Sequence, residues 1–162
     1  LAAVKGDAAM HETEALHIRR LTAEDLEPLH RLLSDPAVMR YLEPPFTRAQ
    51  TEAFLQKAGM GREPLVWAVE DGRGFAGYVI YHPYDETSME LGWVLASDRW
   101  GRGYALALTR QMICRARESG RDAVIECHPQ QAATRHIAEK LGFRPCGMDG
   151  GCCVYRLAGK NE

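Results

Sequence analysis

The sequence predicts a single α/β (α+β) domain, a mixed central sheet of about seven strands with helices on both faces. Three observations carry this. Strand-like and helix-like patterns follow one another in the order β, α, α, three strands, α, β, α, two strands. Residues 88–127 read strand, loop, helix, strand, a crossover unit whose two strands must run parallel. A chain of 162 residues with 46% hydrophobic content is also long enough for one well-buried core and too short for two comfortable ones.

Each element has a local reason. "LHIRRL" (16–21) alternates as a short strand, and Thr22 opens "TAEDLEPLHRLLSD", where Asp25 offers a carboxylate to the first-turn amides of a helix ending near Ser34. Asp35 and Pro36 punctuate the chain. "TRAQTEAFLQKA" then starts a second helix, because Thr47 and Gln50 stand three apart as in a capping box. "LVWAVE" and "GFAGYVIYH" flank the turn-rich "DGRG" (71–74) and form an antiparallel hairpin. "SMELGWVLA" (88–96) is the next strand. In "ALALTRQMICRARESG", Leu106, Leu108, Met112, Ile113 and Ala116 recur at nearly helical spacing until Gly120 stops the helix. "DAVIECH" is a further strand. A short helix after Pro129 runs through Ala133, Ile137, Ala138 and Leu141 to Gly142, and two strand candidates lie around 143–148 and 152–157.

Composition excludes several classes. A formal net charge of -2 gives no global field to gather a polyanion, so no nucleic-acid partner is expected. No apolar run approaches the roughly 20 residues of a spanning helix, so no membrane partner is expected either. Five cysteines (114, 127, 146, 152 and 153) lack paired CxxC spacing, which fits reduced thiols in a cytoplasmic protein; Cys114 and Cys127 sit in apolar patterns as small hydrophobes. "LAAVKGDAA" (1–9) lacks the layout of an export signal and precedes Met10, the expected native start. Residues 1–15 are accordingly expected to be a leader-type tail and 16–159 the domain.

"DRWGRGYALA" (98–107) places two glycines at a strand-to-helix junction. The amino end of a helix exposes unpartnered amides and a positive dipole, so the junction is suited to an anion. Gly101 and Gly103 let the main chain turn its N–H groups inward, and Arg99 and Arg102 are placed to add charge-assisted contacts. The third small residue of a dinucleotide fingerprint falls on Leu106, and no GK[ST] follows. A tight turn needing positive φ remains the alternative.

Together with "HPQQAATRHIAEKLGFRPCG", this stretch resembles the GNAT superfamily of acyl-CoA-dependent N-acyltransferases, and within it the branch that acetylates ribosomal-protein amino termini. The likeness extends over nearly the whole chain from Leu16. The family's pyrophosphate motif, Gln/Arg-x-x-Gly-x-Gly/Ala, falls on Trp100, Gly101, Arg102, Gly103, Tyr104 and Ala105, with Trp at the first position as in this branch. "EKLGF" (139–143) resembles the family's helix-to-strand closure. The resemblance implies acetyl-CoA as co-substrate, without a metal, and a fold whose fourth and fifth strands splay apart. It further implies that the pantetheine arm pairs with main chain near Val94 and Leu95, where an N–H also holds the oxyanion.

Acyl transfer to an amine needs a proton acceptor, an oxyanion site and a proton for the thiolate. Period-two alternation puts Met89, Leu91, Trp93 and Leu95 on one apolar face and leaves Glu90, Gly92 and Val94 on the other. The resemblance carries the catalytic glutamate to Glu90; an ordinary exposed strand residue is the alternative. It carries the thiolate's proton donor to Thr134, where the branch has serine, although a helix hydroxyl also bonds the preceding turn. Gln131 replaces an asparagine of the branch, with a longer arm toward the coenzyme. Ala138 occupies the position of a tyrosine acid used by other members. His82, His128 and His136 lack metal-ligand spacing and read as surface or capping residues.

The acceptor pocket is expected from the first two helices and the turn 81–87, with "DPAVMRYLEPPF" (35–46) as a wall, a lid or a packed loop. The expected activity is transfer of acetyl from acetyl-CoA to a primary amine by direct attack in a ternary complex, with a peptide or protein amino terminus as the leading acceptor. Alternatives are a small amine such as an antibiotic or polyamine, which Glu43, Glu52, Asp85 and Glu86 would favour if the fold brings them into one groove, and a non-catalytic acyl-CoA-binding regulatory module. A nucleotide-binding α/β protein is a further rival. Exposed terminal strands make a homodimer a further expectation.

Overall fold

The computed structural model describes residues 16–160; the expectations for the tail and for Met10 lie outside them. Seven strands form one sheet: β1 (His17–Arg19), β2 (Val66–Asp71), β3 (Gly74–Pro83), β4 (Ser88–Leu95), β5 (Asp122–Cys127), β6 (Arg144–Asp149) and β7 (Cys152–Leu157), in the spatial order β1-β2-β3-β4-β5-β7-β6. Neighbours are antiparallel except β4 and β5, whose crossover makes them parallel.

Five α-helices cover the sheet: α1 (Leu26–Leu33), α2 (Pro36–Met39), α3 (Arg48–Phe54), α4 (Tyr104–Glu118) and α5 (Ala132–Lys140). The alternation of β4 sorts them. Leu91 and Leu95 point into a core with Val79, Leu108, Met112 and Ile125, under α4 and α5. Val94 points the other way, into a core with Ala68, Tyr78, Leu29, Leu33 and Leu55, under α1 and α3. Both faces are thus apolar and both are covered, as a strand order with interleaved helices requires.

Local chemistry explains where the elements begin. Before α1 the chain makes a 3-10 turn (Ala23–Asp25); Asp25 accepts from the Thr22 N–H at 2.8 Å and from both ends of the Arg19 guanidinium fork. The Thr47 and Gln50 capping box forms at the start of α3 as the spacing predicts. One helix goes beyond the expectation. Asp35 and Pro36 do not merely end α1; Asp35 caps the Ala37 N–H at 2.9 Å and Pro36 takes the first helical position, which starts α2. After α3 a wide helical turn brings Gly59 against Leu21, where a Cβ would stand 2.6 Å from the leucine Cδ1.

The pairing of β4 with β5 stops early. It covers only Ser88, Met89 and Glu90 against Asp122, Ala123 and Val124, after which the strands part. Hydrogen bonds fix which groups face the gap. Tyr84 N–H donates to Ser88 O and Ala96 N–H to Ala76 O, both at 2.9 Å, so even-numbered residues of β4 turn their main-chain groups to β3. Asp122 N–H donates to Thr87 O at 3.0 Å, so odd-numbered residues turn theirs toward β5. Beyond Glu90 those of Trp93 and Leu95 therefore point into the wedge.

Candidate active site

The wedge opens into a cleft of about 610 Å³. Trp93, Val94 and Leu95 form one wall, Gln131, Thr134 and Ile137 the opposite one, residues 100–105 the mouth, and Val38 and Tyr41 the rim. The segment 35–46 thereby contributes a wall through α2 and Tyr41, which stacks on His128 with centroids 5.4 Å apart.

At the mouth, Gly101 (φ 74°) and Gly103 (φ 79°) both lie in the left-handed region, where an L side chain is strained. Gly103 caps α4 with no side chain bonded to the helix end, and the first turn of α4 holds no acidic residue. Among the described residues, the N–H groups of 101–106 donate to no protein acceptor. A built Cβ at Gly101 or Gly103 would meet nothing within 4 Å, so these glycines answer a torsional need beside open space. The result is an unspent row of donors at a positive helix end, which fits a diphosphate.

Arg99 corrects one expectation. Its side chain is 9% exposed and its fork is committed to Asp71, at 2.9 Å from Nε and 3.2 Å from Nη2, rather than aimed at an anion. Tyr104 donates its hydroxyl to the same carboxylate at 2.9 Å. Asp71, at the end of β2, thus clamps the residues on either side of the glycines, and the Arg99 guanidinium holds its carboxyl well below the usual range. Arg102 remains exposed on the turn.

Trp100 is 51% exposed, yet its indole N–H donates to the Leu95 carbonyl at 3.0 Å. Of the two main-chain groups that Leu95 turns into the wedge, the N–H stays open. Across the cleft, Thr134 lies near the start of α5. The Gln131 side-chain oxygen accepts from His128 N–H at 2.8 Å, so its carbonyl end is engaged locally. Ala138 is fully buried and away from the cleft.

Glu90 is the last residue of β4 paired with β5, so it stands at the apex of the wedge. Its register partner on β3 is His82, and His82 Nε2 lies 2.6 Å from Glu90 Oε2. His82 is therefore half-buried and paired rather than a free surface residue, while His128 Nδ1 accepts from Gln130 N–H at 3.1 Å ahead of α5, whose N-cap Gln131 bonds no helix amide with its side chain. Tyr84 donates its hydroxyl to Glu126 on β5 at 2.7 Å, a bond that pushes the phenol up to about 12. Glu126 shares the face of Glu90, because Val124 pairs with Glu90 and side chains alternate. The sequence held a signal for it, an acid inside the apolar "AVIEC". Nothing local marked Tyr84 as its neighbour, or His82 as that of Glu90.

Of the acids the sequence offered for a groove, three are placed apart: Glu43 borders a hollow with Phe46 and Lys57, Glu52 another with Leu26, and Asp85 is taken by Ser88 and Arg156. The carboxylates that contacts place on one face of the sheet are Glu90, beside His82, and Glu126, beside Tyr84. Cys114 is exposed on α4 rather than packed, while Cys127 is buried and burial pushes its thiol up to about 11. Among the described residues no His, Cys, Asp and Glu group has a metal-holding arrangement, and no helix is long and apolar enough to cross a membrane.

Similarity to known proteins agrees with this architecture. A structure of a GNAT-family acetyltransferase from Bacillus anthracis superposes with a TM-score of 0.77 at 25% identity, covering 90% of this chain and 95% of that one. Spermidine N-acetyltransferase from Vibrio cholerae, solved with CoA and spermine, gives 0.72 at 22% identity, covering 88% and 94%. The uncharacterized N-acetyltransferase YnaD of Bacillus subtilis is 26% identical over 145 residues, 86% of this chain and 85% of that protein. The family model for the acetyltransferase (GNAT) domain matches residues 15–144, from the approach to β1 through the first residue of β6. The chain therefore belongs to the GNAT acetyltransferase domain family.

Proposed function

We propose that the protein transfers an acetyl group from acetyl-CoA to a primary amine by direct attack in a ternary complex, with Glu90 as proton acceptor. The observation that carries this reading is the row of unspent amides at 101–106 opening on a wedge with a carboxylate at its apex. Gly101, Arg102, Gly103, Tyr104 and Ala105 would hold the diphosphate, with Trp100 beside it and Gln131 across the cleft. The outward main chain of Trp93 and Leu95 would receive the pantetheine arm, while Val94 contributes its side chain to that wall. The structural neighbour from Vibrio cholerae, solved with CoA, supports the assignment.

When bound, acetyl-CoA supplies an activated thioester. An alkylamine of pKa near 10 arrives protonated at neutral pH, and Glu90 takes its proton. The Leu95 N–H stabilises the oxyanion, and Thr134 passes a proton to the thiolate. The ribosomal-protein branch resemblance supports a peptide or protein α-amine as acceptor. A second reading, a small polyamine, is favoured by Glu90 and Glu126 sharing one face of the sheet and by the neighbour named for spermidine. A screen of peptide amino termini and small amines, read by release of free thiol, tests both. Turnover with one acceptor class fixes the substrate; CoA binding without thiol release from any amine overturns the catalytic reading in favour of a binding module.

A further inference from the structure

The register of β3 and β4 sets His82 directly across from Glu90, and their side chains are 22% and 21% exposed. Nδ1 of the ring lies 2.9 Å from the Pro83 carbonyl oxygen. A carbonyl only accepts, so Nδ1 carries a hydrogen. A neutral ring with its hydrogen there would leave a lone pair on Nε2, with nothing to offer a carboxylate. The 2.6 Å contact between Nε2 and Oε2 therefore contains a proton, and the resting pair is imidazolium beside carboxylate. In agreement, the Glu90 hydrogen bond raises the His82 pKa against the opposing effect of burial.

Beside the pair, Tyr84, from the turn between β3 and β4, donates its hydroxyl to Glu126 on β5. Among the described residues, no lysine or arginine forms an ion pair with Glu90.

We propose that His82 is a positioning residue for acetyl transfer, one that fixes the Glu90 carboxylate at the wedge apex and sets the pH at which Glu90 can receive the amine's proton. This rests on the reading of Glu90 as proton acceptor. While the ring is imidazolium, its Nε2–H already occupies the carboxylate. Once that proton has left to solvent, the pair accepts one proton from R–NH3+, releasing R–NH2 and returning to its resting form. The amine lone pair forms the N–C bond as the C–S bond breaks, and a second amine proton ends on the thiol. Each turnover yields amide, thiol and one proton to solvent, with nothing oxidised or reduced.

Because a glutamine donates to a carboxylate without titrating, H82Q separates the ionisation from the contact. With one amine throughout, the wild-type kcat/KM is expected to fall about tenfold from pH 8 to pH 6, and that of H82Q to change less than about twofold. Proton NMR of the His82 ring in the resting enzyme gives a readout free of turnover: titration above about 6.5, moving down by roughly one pH unit in E90Q. Titration of the wild-type ring at or below that value, or an H82Q profile that keeps the wild-type limb, overturns the role of His82. E90Q with wild-type kcat overturns the reading of Glu90 instead. If H82Q fails to fold, the NMR titration decides alone.

Discussion

The two halves of β4 differ in how they place chemistry. Its amino half, Ser88–Glu90, is hydrogen-bonded on both sides and presents a side chain, Glu90, whose register neighbours are His82 on β3 and Val124 on β5. Its carboxyl half is bonded on one side only and presents main-chain groups to a cleft that ends at the glycine cradle. Acid–base work needs a titratable side chain held in a defined field, whereas a phosphate and an extended thiol arm are held well by amides. On the proposed reading, one strand supplies both by losing its partner halfway along.

Variants can break that division, and the largest effect is expected at the apex. E90A should lower kcat by about 10³ and leave acetyl-CoA affinity within about twofold, checked by thiol release and calorimetric titration. A large loss of affinity would mean that the two halves are not separable.

Next comes the clamp. Asp71 and Arg99 are 4% and 9% exposed, and breaking a buried pair leaves a charge without a partner, so D71N should cost about 3 kcal/mol in urea unfolding. The folded Asp71 pKa lies below its unfolded value of roughly 3.9, so its stabilisation is complete above that value and is lost as pH falls through the folded one. The gap between wild type and D71N should therefore narrow in acid. A gap that widens would exclude the ion pair as its cause.

G103V forces a branched residue to φ near 79° and turns cradle amides away from the anion. The dissociation constant for acetyl-CoA should rise by about 30-fold, roughly 2 kcal/mol, with kcat at saturation little changed. The smallest effect sharpens the picture at Leu95. W100F keeps an aromatic ring but removes the N–H donated to the Leu95 carbonyl, worth about 1 kcal/mol, so affinity should fall about fivefold. No change at all would mean that this bond does not order the cleft wall.

What the sequence showed directly was chemistry that acts over a few residues. The capping box at Thr47, the hairpin at 71–74, the opposed faces of β4 and the torsional demand at Gly101 and Gly103 are all set by neighbours along the chain. Arg99 misled because its composition suggests a phosphate ligand, while its partner lies 28 positions away on another strand. The same separation hid the contact between Tyr84 and Glu126, 42 positions apart.

By itself, then, the sequence determined the order of the strands along the chain, their faces and the positive-φ glycines of the β4–α4 turn, since backbone torsion and side-chain period are local properties. Only the tertiary structure decided which side chains meet: His82 with Glu90, Asp71 with Arg99 and Tyr104, and Tyr84 with Glu126. Those encounters depend on strand register and on where β4 leaves β5, which are fixed by the packing of two cores on opposite faces of the sheet.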